Sequence, residues 1–113
     1  DDNLSKAARM FGHAIDQLEQ TTEDILSRCK NSSGLAQAIA SPYLRQTSIC
    51  AAGWLMFRSL EKLTDSDIEE GFAKAKGLSC NFFLAQIVPE ADFMAQQIAN
   101  TRHELLHETA PLF

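Results

Sequence analysis

At 113 residues the chain has the length of one domain. Its 45% hydrophobic and 22% charged residues suffice for a packed core and exclude a disordered chain. A formal net charge of -5, with a pI near 5.0, argues against nucleic acid, whose phosphates require clustered Lys and Arg, and weakly against anionic membrane surfaces.

The chain opens Asp1-Asp2-Asn3 without a Met, which reads as a fragment excised from a longer protein. Apolar spacing is helical almost throughout, and no stretch alternates with period two. The first helix is predicted from about Leu4 to Cys29, on a stripe of Leu4, Ala8, Phe11, Ile15, Leu18, Thr22, Ile25 and Cys29. Its alternating steps of four and three are the spacing of helices that pack side by side. Asn31-Ser32-Ser33-Gly34 supplies the break. A short helix is expected over Leu35–Ala40, followed by a main second helix starting at Pro42 behind a Ser41 cap, with a single kinked helix as the alternative. From Ile49 to Phe57 that helix is apolar on every face and should be the most buried of the set. This is also the longest apolar run, about half of the ~20 residues that cross a bilayer.

Thr64-Asp65-Ser66-Asp67 is expected to cap a third helix carrying Ile68, Phe72, Ala75, Ser79, Phe82, Phe83 and Ile87, with Glu69 and Glu70 at the positive end of its dipole. Pro89 should end it, because proline disfavours the helical conformation of Val88. A fourth helix follows on Ala91, Met94, Ile98, Thr101 and Leu105, and Ala110-Pro111 closes the chain. Four amphipathic helices with short turns predict an all-α fold, an up-down-up-down four-helix bundle with an extra short helix before Pro42, as a single domain over residues 1–113. Cys29, Cys50 and Cys80 are odd in number and widely spaced, so they read as free thiols in a reducing, cytoplasmic compartment.

One motif points to chemistry. His103-Glu104-Leu105-Leu106-His107 spells H-E-x-x-H, which on a helix sets two imidazoles one turn apart over a zinc ion, with the glutamate as general base. Helix arithmetic counts against it: His103 and His107 fall at about 140° and 180° from Ile98, away from the core. A catalytic zinc also needs a third ligand. Only Glu108 follows the motif, and His13 points away from the core stripe of its own helix. Glu104 and His107 also form a single E-x-x-H, whereas di-iron bundles need two such units and two more inward glutamates. The expectation is no catalytic and no metal residue, with His103 and His107 as at most an adventitious metal site. Lys76 reads as a snorkelling side chain, and Arg45 and Arg58 as solvated charges or contacts to an acidic partner.

The stretches SPYLRQTSICAAGWLMFRSLEKL and FAKAKGLSCNFFLAQIVPEADFMAQQI carry a family resemblance. Tyr43-Leu44-Arg45, the Gly53-Trp54 pair, Lys76 and Pro89, in that order and spacing, resemble the additional C-terminal helical domain of a branch of acyl-CoA dehydrogenases. Ala51 and Ala52 stand where family members often have glycine, and Asn100-Thr101-Arg102-His103 replaces a glycine-containing turn. The resemblance implies a parent enzyme that oxidises an acyl-CoA to the 2-enoyl-CoA with FAD, a glutamate taking the α-proton and the flavin the β-hydride. The catalytic and flavin-binding groups would lie upstream, so none maps onto this chain, and the fragment alone should be inactive and bind no cofactor. Its role would be packing, assembly or shaping of the substrate entrance, against the rest of the enzyme or a second subunit. Met56, Phe57, Phe93, Leu112 and Phe113, apolar and off the core stripes, are the candidate interface. The alternative is a free-standing helical interaction or oligomerisation module.

Overall fold

A computed structural model describes the backbone of residues 2–30, 33–63 and 67–101 and the side chains of 4–30, 34–63 and 67–101. Among the described residues there is no strand. The elements are α1 (Asp2–Arg28), α2 (Ser33–Lys62), α3 (Glu70–Phe82), a π-helical segment (Phe83–Ile87) and α4 (Glu90–Asn100). No helix is long and apolar enough to cross a membrane among the described residues.

The all-α expectation holds, but the described residues form three rods instead of four antiparallel helices. The two prolines behave differently from each other. Pro42 lies inside α2, which runs unbroken from Ser33 to Lys62, so no separate short helix precedes it. An interior proline costs about 3 kcal/mol. Packing on both sides of it offsets that cost: Leu35 and Ile39, before Pro42, form a buried cluster with Ile98, against which Ile25, Cys29 and Tyr43 pack.

Pro89 falls, as expected, between the third helical stretch, which ends at Ile87, and α4, which starts at Glu90, but it does not turn the chain back. Val88 is helical (φ -56, ψ -38), as is Pro89 (φ -59, ψ -18). The π segment is what accommodates the ring. Val88 N–H donates to the Phe83 carbonyl five residues back, at 3.1 Å, which widens the turn just ahead of the proline. Ala91 and Asp92 then donate to the carbonyls of Val88 and Pro89 at 2.9 and 3.1 Å. Helical backbone thus continues from α3 through the π segment into α4 as one rod.

Cross-contacts fix the directions. Phe11 stacks on Phe57 (centroids 6.0 Å apart), and the Thr22 and Tyr43 hydroxyls meet at 2.7 Å, so α1 and α2 are antiparallel. Cys80 touches Met56, Arg45 pairs with Glu90, and Ile98 packs with Leu35 and Ile39, so the third rod is antiparallel to α2 along its whole length.

The main core cluster is Ala7, Ala14, Ile49, Cys50, Leu84, Val88 and Ala91, flanked by Met10, Phe11, Leu18, Met56, Phe57, Leu60 and Phe83. On α1 the buried line is Ala7, Ala14 and Thr21, one residue ahead of the predicted stripe; Ala8 is exposed and Ile15 is 37% exposed. Seven-residue spacing of small side chains lets α2 approach closely. Gly53 marks that approach: a Cβ there would lie 3.1 Å from Val88 Cγ2 and 3.4 Å from Phe11 Cδ1.

The expectation that Ile49–Phe57 is covered on every side fails. Ile49, Cys50 and Gly53 are buried, but Ala51, Trp54 and Leu55 are exposed. Two neighbouring rods cover only two sides of α2. The fourth helix that would have covered the outer side is instead the continuation of the third rod.

Candidate functional site

No catalytic constellation emerges among the described residues, and none of their His, Cys, Asp and Glu side chains gather in threes that could hold a metal. The His103-Glu104-x-x-His107 motif lies outside the described residues, as do Leu112 and Phe113. His13 is exposed, as expected. All three cysteines are free, and burial pushes the Cys50 thiol up from its usual value.

The four sequence features behind the family resemblance have structural jobs. The Tyr43 hydroxyl bonds Thr22 across the α1–α2 contact. Arg45 reaches from α2 to Glu90 on α4 at 2.9 Å. Gly53 leaves room for Val88 and Phe11 to pack close against α2. Trp54 is half exposed under the Arg58 guanidinium, 5.4 Å from the ring centroid. Lys76 lines a groove of about 470 Å³ between α2 and α3, with Met56, Leu78, Phe82, Phe83 and Ile87. Pro89 marks the join within the third rod.

Of the candidate interface residues, Met56 and Phe57 are half-buried and pack against the core, with Met56 also on the rim of that groove. Phe93 is 63% exposed. Sequence periodicity missed a larger apolar surface: Leu44 and Leu55 on α2, and Phe72, Leu78 and Phe82 on α3, are all more than half exposed. The signal was present in α2, where Arg45 is the only charged residue between Ser33 and Phe57. Such a helix has no solvated face to turn outward.

Two polar devices were also missed. Arg28 is held by Asp24 one turn earlier and donates to the carbonyls of Ile98 (2.9 Å) and Thr101 (2.6 Å), so α1 caps the C-terminus of α4. Thr64, Asp65 and Ser66 of the expected cap lie outside the described residues, and Glu69 is the N-cap of α3. Its carboxylate accepts from Gly71 and Phe72 N–H, both at 2.8 Å, which holds its pKa below the ordinary value. Between α1 and α4 runs a groove of about 750 Å³ of mixed character, lined by Gln17, Thr21, Asp24 and Arg28 and by Leu35 and Ile98. Gln17 bonds Asp92 across it. Beneath it Gln46, fully buried, donates to Thr21 at 3.2 Å, and its Oε1 has no partner among the described residues.

The class these features define is an all-helical domain whose polar contacts join helix to helix and which leaves apolar side chains exposed. The chain matches the family described as Acetyl-CoA dehydrogenase C-terminal like over residues 1–107, and it belongs to that family. Neither the curated proteins nor the solved structures yield a match.

Proposed function

We propose that this chain is the non-catalytic C-terminal accessory domain of an FAD-dependent, cytoplasmic acyl-CoA dehydrogenase that converts an acyl-CoA to its 2-enoyl-CoA. The family match over residues 1–107 carries this reading. Flavin and acyl-CoA would be bound by the rest of that enzyme, and FAD would accept the hydride there. This domain's part is to bury apolar surface against the flavin-bearing body and to shape the assembly or the substrate entrance.

The surface assigned to that contact is the side of the third rod. Met56, Leu78, Phe82, Phe83 and Ile87 line an apolar groove there, and Phe93 is exposed farther along the same rod. Leu112 and Phe113 stay candidates for the same contact on sequence grounds. Leu78, Phe82 and Phe93 are the exposed members of this set, and large apolar side chains exposed together mark a surface that a partner covers.

The experiment is to capture the natural protein from its host with an antibody to this domain and record its mass and visible spectrum. A protein much larger than 12.5 kDa with flavin absorption supports the reading. A colourless protein of about that mass overturns it.

A further inference from the structure

The outward face of α2 presents a second uncovered surface, distinct from the groove beside the third rod. Ala40, Leu44, Thr47, Ala51, Trp54 and Arg58 recur at steps of four, three, four, three and four. With Leu55 they fall within a wedge about 100° wide on the helix. All are exposed, Leu44 at 68% and Leu55 at 57%. The step pattern is that of a helix seam that meets another helix side by side. Beside it, between α1 and α2, lies a groove of about 420 Å³ lined by Phe11, Ile15, Leu18, Cys50, Ala51 and Trp54.

We propose that this face pairs with the same face of a second copy of the chain, with the two α2 helices antiparallel across a two-fold axis near Ile49. The order of side chains along the stripe supports a self-pairing. About that axis Thr47 faces Ala51, Leu44 faces Trp54, and Ala40 faces Arg58. Small side chains stand at the centre, where the helices must come closest, and large ones stand at the flanks. Leu44 of each copy would enter the other's groove beside Trp54.

Charge supports the same occupant. The chain carries a net -5, so two copies repel through most faces. The α2 face from Ala40 to Leu55 has no charge turned outward, because Arg45 is drawn aside to Glu90 on α4. By contrast, α3 carries Lys74 and Lys76 beside its exposed Phe and Leu residues, which suits a different, charged partner.

The area sets the strength. The stripe from Ala40 to Arg58 is about 27 Å long, and with the flank of α1 about 20 Å wide, giving about 500 Å² per copy. The total of about 1,000 Å² is at the lower limit for a specific interface, which suits a weak, reversible pairing. It does not depend on attachment to a flavoenzyme.

The test is sedimentation equilibrium of the 113-residue chain from about 1 to 200 μM, with vesicle co-sedimentation as a parallel measurement. The expected result is a monomer–dimer equilibrium reaching twice the 12.5 kDa of the chain. Leu44→Glu and Leu55→Glu should each weaken it at least ~tenfold, since the two-fold axis buries every added carboxylate twice. Phe82→Glu, on the other face, should leave it unchanged. Far-UV circular dichroism confirms that the variants stay helical. A chain that is monomeric throughout overturns the proposal, as does a dimer broken by Phe82→Glu and not by Leu55→Glu. Binding of the monomer to phosphatidylcholine vesicles, lost in Leu55→Glu, would also overturn it and assign the face to lipid. Because none of these readouts involves flavin, they fail or succeed independently of the proposed parent enzyme.

Discussion

Gly53 and Gly12 both lie in helices with right-handed backbone, so replacing either by Ala brings the same helix-propensity gain of about 0.8–1 kcal/mol. Their surroundings differ. A Cβ on Gly12 meets nothing within 4 Å, whereas one on Gly53 lies 3.1 Å from Val88 Cγ2. Val88 cannot easily retreat: it is 2% exposed, β-branched, and its N–H is tied to Phe83 in the π segment. Overpacking of this kind costs about 1–3 kcal/mol. Gly12→Ala should therefore stabilise by about 1 kcal/mol, raising Tm by about 4 °C. Gly53→Ala should range from neutral to about 2 kcal/mol destabilising, once the propensity gain is subtracted. Thermal and urea unfolding of both variants measure the difference. In the Gly53→Ala background, Val88→Ala should cost less than it does in the unmodified chain. Equal stabilisation by the two Ala substitutions would refute the close approach of α2 to the third rod at this position.

Further outcomes follow from the polar contacts. Arg28→Ala removes the cross-rod cap on Ile98 and Thr101 and should cost about 1–2 kcal/mol in urea unfolding, with amide exchange quickened at the end of α4. Thr21→Val and Gln46→Met should each destabilise, but the double substitution should cost less than the sum, because it removes both members of a buried polar pair whose Gln46 Oε1 is unmatched among the described residues. The Glu69 carboxyl is held below its ordinary 4.5 by the α3 N–H groups it accepts from, so its stabilisation is complete above that value and is lost as pH falls through the lowered pKa. Glu69→Ala should accordingly weaken the chain at pH 7 and have little effect once the pH lies below that lowered value, a contrast read from melting curves at the two pH values. Buried Cys50 and Cys80 should react with a thiol reagent only on unfolding, ahead of them half-buried Cys29 in the native chain.

Sequence alone determined that this protein is helical. The apolar periods of residues 4–29, 68–87 and 91–101 are local properties, and helices form where such periods meet helix-compatible residues. The family features were legible for the same reason, since Tyr43, Arg45, Gly53, Trp54 and Lys76 sit at fixed positions along single helices and Pro89 sits between two helical segments. The number of rods was not legible. Pro89 has one local preference, to end a helix, and only the packing of Leu84, Val88 and Ala91 into the core, together with the widened π turn, decided that the chain would run straight through. The role of Arg28 was not legible, because its acceptors are about seventy residues away in sequence. The uncharged run of α2 announced burial on every side, and tertiary structure decided otherwise. Burial depends on how many neighbours a helix has, and with the third and fourth helical segments joined end to end, α2 has two.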